Sequence, residues 1–155
     1  MYTQGEVYAL AHKLFDAAEV WMASERREDT RAHWNKTEKA EALLKEYKFA
    51  EAEALCREVF LQNQRRILPF NIMITAIIRQ NELQRALAEV EAEEAWLLMH
   101  PYKILTYLEG IGEVERDETH YMHEWIMAMN TMTAHEKDLE GKIAKGYVYK
   151  PRKRS

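Results

Sequence analysis

Four glutamates set in two pairs are the residues of this chain best placed to do chemistry together. Glu91 and Glu94 stand three apart, and so do Glu115 and Glu118 further along the chain. Residues three apart on a helix share a face. If the two predicted helices pair antiparallel, all four carboxylates lie at a similar height. Converging carboxylates in a low-dielectric interior need a cation or shared protons, and oxygen ligands suit Mg²⁺ or Mn²⁺.

This arrangement resembles the paired Glu-x-x-Glu and Glu-x-x-Asp helices of the all-α nucleoside triphosphate pyrophosphatases. In that family the acidic pairs hold Mg²⁺ against the substrate phosphates. The resemblance implies an Mg²⁺-dependent phosphohydrolase, although the second pair here ends in Glu118 where the family has aspartate. The alternative interpretation is that these glutamates are solvated at the wet end of a bundle. In that case no cofactor is expected.

The carboxyl-terminal residues carry the second set of chemically distinctive side chains. From Lys142 to Ser155 there are six basic residues and no acid, out of 22 Lys and Arg in the chain. The remaining 16 basic residues face all 26 acidic ones, a net charge of −10. An acidic body with a basic tail indicates a charged partner. The residues predicted to contact that partner within the tail are Tyr147, Tyr149, Lys150, Arg152, Lys153 and Arg154.

The last predicted helix is apolar on more than one side. Met122, Met127, Met129 and Met132 surround Trp125 and Ile126. Such a helix is either central in a bundle or covered by a partner. Trp125 and Met129 are therefore predicted as further partner contacts, and self-association through this helix is a second expectation. Central packing remains the alternative.

Composition bounds the class of protein. The chain has 155 residues, 47% hydrophobic and 31% charged, as expected for one globular domain. Cys56 is the single cysteine, so no intrachain disulfide forms, which fits a reducing compartment. The first residues lack a secretory pattern, and the longest apolar stretch, 67–78, is too short to span a bilayer. These features predict a cytoplasmic protein without membrane association.

Few breakers interrupt the chain, which has five glycines and three prolines. Apolar residues recur three and four apart, a period typical of helices packed lengthwise, and Thr3 to Glu6 forms a capping box. The predicted fold class is an all-α bundle of four to five helices, comprising residues 1–146, with a flexible basic tail over 147–155. Helices are predicted over 4–28, 36–67, 71–99, 101–109 and 113–145, with a loop at 26–37, a bend at 47–49 and a turn at 110–112.

These features favour a non-enzymatic interaction protein. It would act as an adaptor, inhibitor or regulator, of the kind found among bacterial or viral accessory proteins, by binding another protein. One alternative is the Mg²⁺-dependent phosphohydrolase described above. The other is an accessory protein that contacts nucleic acid through its tail, where cations neutralise phosphates and tyrosines stack on bases.

Overall fold

The fold is known from a computed structural model. It describes residues 2–17, 21–24, 27–61, 67–99, 102–108, 112–115 and 118–151. Within those ranges it describes the backbone alone at 15–17, 21–24, 27–33, 60–61, 102–108, 112–115 and 118–121.

Six α-helices are formed in the described part of the chain, and they pack against one another. The helical architecture is thus confirmed, but the prediction of four to five helices was too low. The helices are α1 Gln4–Ala17, α2 Arg27–Lys45, α3 Phe49–Leu61, α4 Ile67–Arg79, α5 Leu83–Met99 and α6 Glu118–Lys145. The capping box is present in α1: Glu6 N donates to Thr3 Oγ1 at 3.1 Å, and Thr3 N donates to Glu6 Oε1 at 3.4 Å.

Two tight turns account for the additional helices. Tyr47 has a left-handed φ of 61° between α2 and α3, and Asn81 has a φ of 62° between α4 and α5. At each turn the next residue's N–H donates to the carbonyl five residues back, as Lys48 does to Leu43 at 2.9 Å. This is the Schellman geometry, which ends a helix by satisfying its last carbonyls. The predicted bend at 47–49 is confirmed, whereas the prediction of an unbroken helix over 71–99 was wrong.

A small three-stranded sheet accompanies the helices. Its strands are β1 Trp21–Ser24, β2 Tyr102–Leu108 and β3 Gly112–Glu115. β2 is central, parallel to β1 and antiparallel to β3. The short helix predicted at 101–109 is therefore a strand, the first helix ends eleven residues early, and the last begins at Glu118 rather than 113. The helix at 101–109 was predicted from the spacing of its apolar residues. The β-branched and aromatic residues of β2, which favour a strand, were given too little weight.

Two further boundaries differ from the prediction. The segment 26–37 was predicted as a loop, but most of it lies in α2. Its residues are polar, and a mostly solvated part of a helix shows no apolar stripe by which it could be recognised. α4 begins at Ile67, with Pro69 in its first turn, where a missing N–H does no harm. Asn71 lies inside α4, and its Oδ1 is 2.7 Å from His135 Nε2.

The hydrophobic core contains buried residues from all six helices, most of them from α4, α5 and α6. α4 is buried along most of its length, including Phe70, Met73 and Ile77. From α6, Trp125 enters this core and donates from its indole Nε1 to the Leu97 carbonyl at 2.8 Å. That bond satisfies the one polar atom of a buried tryptophan and fixes α6 against the end of α5. Of the described helices, none combines the length and the apolar character that crossing a bilayer requires.

Candidate functional site

The carboxyl-terminal segment leaves α6 through a third Schellman turn. Gly146 has φ of 65°, and Tyr147 N donates to the Lys142 carbonyl at 2.9 Å. Glycine adopts this left-handed conformation without the strain that a Cβ imposes. The turn redirects the chain, and Tyr149 then reaches the α4–α5 turn at Asn81.

Asn81 holds the main chain of Tyr149 at two points. Its Oδ1 accepts from Tyr149 N at 2.7 Å, and its Nδ2 donates to the Tyr149 carbonyl at 3.2 Å. The side-chain amide thus pairs with one residue as a neighbouring strand would, which requires that residue to be extended. The two partners are separated by 68 residues in sequence, so this contact attaches the carboxyl-terminal segment to the α4–α5 turn.

The Tyr149 ring is held between an aromatic edge and a cation. The Phe49 ring meets it edge to face, with centroids 5.6 Å apart and an interplanar angle of 82°. The Arg79 guanidinium carbon lies 5.3 Å from the Tyr149 centroid and 5.9 Å from that of Phe49. Edge-to-face and cation–π contacts of this kind are both attractive. The first residue of α3 and the last residue of α4 therefore build one ring-binding site with Asn81.

The tail residues predicted as partner contacts separate into two groups. Tyr149 is half-buried in the ring-binding site, whereas Tyr147 and Lys150 are exposed. The Tyr147 ring also lies 5.2 Å from Lys142 Nζ, which is paired with Asp138 at 2.7 Å. The predicted contacts Arg152, Lys153 and Arg154 lie outside the described residues.

Trp125 and Met129, also predicted to touch a partner, lie in the core. Their side chains are 1% and 0% exposed. Neither presents a surface to a partner in this conformation, because α6 packs against α1 and α5 and both residues belong to the hydrophobic core. The two apolar sides of α6 are largely explained by this central position, although Met127 remains 58% exposed.

The four glutamates of the predicted metal site are not carried by a pair of facing helices. Glu91 and Glu94 do lie on α5, with Glu91 exposed and Glu94 half-buried. Glu115, however, ends β3 and pairs in register with Leu105, and Glu118 opens α6. The side chains of Glu115 and Glu118 lie outside those described. Among the side chains that are described, no group of three or more His, Cys, Asp and Glu is placed to bind a metal.

Glu94 has a different carboxylate neighbour, which sequence reasoning missed. Glu136 of α6 is 6% exposed and lies beside Glu94 of α5. Glu94 Oε2 and Glu136 Oε1 are both buried without a hydrogen-bond partner. Burial raises the pKa of Glu136 to about 7, and the adjacent Glu94 acts in the same direction. Glu136 is therefore the carboxyl of this pair that holds its proton more tightly than an exposed glutamate does. The sequence signal was the spacing of Met129, Met132, Glu136 and Leu139, which places Glu136 on the buried side.

A second carboxylate, Glu53 of α3, is fully paired. It accepts from Arg85 at 2.6 and 2.8 Å, from Arg57 Nε at 3.0 Å and from Gln80 Nε2 at 2.9 Å. Arg85 is the largest cause that lowers the pKa of Glu53 to about 2. A carboxylate so firmly ionised and saturated with donors is suited to joining α3 to α5, not to transferring protons.

Cys56 and the open cleft near Asn81 offer little chemistry. Cys56 is fully buried, and burial raises the pKa of its thiol to about 12, which suppresses the reactive thiolate. The cleft, about 460 Å³, is lined by residues 81–85 and Ile143. Its guanidinium, on Arg85, is already bonded to Glu53 and Glu82.

Comparisons with known proteins add no family to this description. No protein-family model matches the chain, and no curated protein or solved structure is significantly similar to it.

Proposed function

We propose that this protein is a non-enzymatic helical interaction protein that binds an acidic surface of another protein through its basic carboxyl-terminal segment. The supporting observation is the two-point bond between Asn81 and the Tyr149 main chain. It fixes the chain at Tyr149, next to the exposed Lys150 and shortly before the other tail cations in the sequence. An anchored start reduces the conformational entropy that a basic segment loses on binding.

Charge and ring placement favour a protein over a nucleic acid as the partner. Outside residues 142–155 the chain has 16 basic and 26 acidic residues, a net of −10 that a phosphate backbone repels. The Tyr149 ring already contacts Phe49 and Arg79, so it is less available to stack on bases. The basic segment is the part of the molecule suited to an acidic partner.

The test uses the wild type and two variants as bait in lysate of the source cells. Each variant has four positively charged residues replaced by neutral glutamine. The tail variant replaces Lys150, Arg152, Lys153 and Arg154 with glutamine. The matched control replaces four exposed helical lysines with glutamine instead: Lys13, Lys39, Lys45 and Lys137. We expect a defined protein that survives nuclease treatment to be retained by the wild type and the control and lost by the tail variant.

Two results would overturn the proposal. Retention of the same partner by the tail variant would show that the cations are not the contact. Recovery of nuclease-sensitive material alone would show that the segment contacts nucleic acid. A purified partner would then allow the affinity of each variant to be measured directly.

A further inference from the structure

We infer that Phe49, Arg79 and Asn81 form a docking site for an extended peptide segment that carries an aromatic side chain, with residues 147–150 of the chain as its resident ligand. This site, formed by the three helix-end residues, is separate from the tail cations to which the proposed function is assigned. The inference therefore does not depend on the identity of the macromolecular partner.

The polar half of the site recognises main chain. Asn81 bonds both the N–H and the carbonyl of Tyr149, at 2.7 and 3.2 Å. These groups belong to every residue except proline, so this half reads an extended backbone and not a sequence. Its two bonds to a single residue are the pattern of peptide recognition by strand addition, here reduced to one side chain.

The apolar half of the site selects the side chain. Phe49 offers its ring to Tyr149 edge to face, and Arg79 lies over both rings. An aliphatic side chain would lose the ring contacts and the cation–π attraction. Both contacts are made by the aromatic face and edge, so phenylalanine is expected to serve nearly as well as tyrosine.

The site is fixed before the ligand arrives. Asn81 N donates to the Ile78 carbonyl at 2.9 Å and Glu82 N donates to the Ile77 carbonyl at 3.4 Å, which hold Asn81 in its left-handed conformation. These bonds belong to the end of α4 and do not involve the tail. Because the amide is presented by the helix end itself, binding does not require it to be ordered first.

The experiment treats the segment as a free ligand of the full-length protein. The probe is a synthetic peptide covering residues 145–151, titrated into isotope-labelled full chain bearing Tyr149→Ala, whose own tail no longer fills the ring site. We expect saturable NMR shifts centred on Phe49, Arg79 and Asn81, with a Kd on the order of 1 mM, as suits a contact this small. A peptide with alanine at the Tyr149 position should bind roughly tenfold more weakly.

Asn81→Gly is the matched variant, because glycine keeps the left-handed turn while removing the amide. Introduced with Tyr149→Ala, it should weaken peptide binding about tenfold. In the otherwise unchanged chain, it should speed hydrogen exchange of the Tyr149 amide about tenfold or more.

Three outcomes would overturn the inference: no saturable shifts at several times 1 mM peptide, shifts spread away from the three residues, or shifts unaffected by Asn81→Gly. Any of these would remove the anchoring contact as support for the proposed function, but capture of the partner by the tail cations is tested separately in the lysate experiment. Conversely, peptide binding here would persist if the tail cations proved irrelevant.

Discussion

At the scale of single residues, the most unusual group is the Glu94–Glu136 pair between α5 and α6. Two carboxyls in contact inside a protein cannot both ionise at low energetic cost. Burial is the largest cause of the raised pKa of Glu136, about 7, and Glu94 adds to it. Between pH 4.5 and about 7, Glu136 therefore retains in the folded protein a proton that the unfolded chain would release.

Glu136→Gln should remove the pH dependence of stability that this proton creates. The folded-state pKa is raised, so the stabilisation is complete below the ordinary value of 4.5 and is lost as pH rises toward about 7. The wild type should lose about 2 kcal/mol of unfolding free energy as pH rises from 4.5 to 8, and the variant should not show this loss. Urea unfolding at several pH values measures this difference. Glu140→Gln, on the exposed side of α6, is the control and should show no such trend.

At the scale of elements, the ends of the helices determine the position of the ring-binding site formed by Phe49, Arg79 and Asn81. Three Schellman turns end α2, α4 and α6, at Tyr47, Asn81 and Gly146. The last two bring the tail and its anchor together. Only one of the three uses glycine, so the other two helix ends lack the residue that most often signals this turn.

Gly141 inside α6 and Gly146 immediately after it should respond to alanine substitution with opposite changes in stability. Gly146→Ala should destabilise the protein by about 1 kcal/mol, because its φ of 65° is strained for alanine. Gly141→Ala, inside the helix, should stabilise it by about 0.5–1 kcal/mol through helix propensity. An added Cβ meets nothing within 4 Å at either position, so backbone conformation alone sets the sign. Thermal unfolding of the two variants compares them, and equal effects would contradict this account.

The ion-pair network around Glu53 joins α3 to α5 and predicts acid sensitivity. Because the pKa of Glu53 is lowered, the stabilisation that its ion pairs provide is present above pH 4.5 and is lost as pH falls toward about 2. Glu53→Gln should reduce the unfolding free energy by about 2 kcal/mol at pH 7, because Arg85 and Arg57 lose a charged partner. The deficit should shrink as pH falls through that window. Denaturant unfolding reports it, and exposed Glu51→Gln on the same helix should have almost no effect.

At the scale of the whole molecule, charge is separated between the body and its carboxyl end. If the tail cations contact an acidic partner, raising salt from about 50 to about 500 mM should weaken binding at least tenfold. Titration of a purified partner at the two salt concentrations measures this. The variant neutralised at Lys150, Arg152, Lys153 and Arg154 should bind weakly at both. A salt-independent affinity for the wild type would point to an apolar contact instead.

Local features of the sequence were sufficient to predict much of the helical fold. The capping box at Thr3 and Glu6, the helix end at Gly146 and the shared helix of Glu91 and Glu94 all depend on residues a few positions apart. Helix periodicity is likewise a property of neighbouring turns. The same reasoning misassigned 102–108, where spacing suited a helix and pairing with 21–24 and 112–115 decided for a strand.

The sequence by itself therefore determined the helical class, the charge separation and the tail as a distinctive segment. Only the tertiary structure decided that Glu94 pairs with Glu136, that Trp125 and Met129 are buried, and that Asn81 holds Tyr149. The physical reason is distance along the chain. Capping and periodicity act within a few residues, whereas these contacts join groups tens of residues apart and depend on how the helices pack.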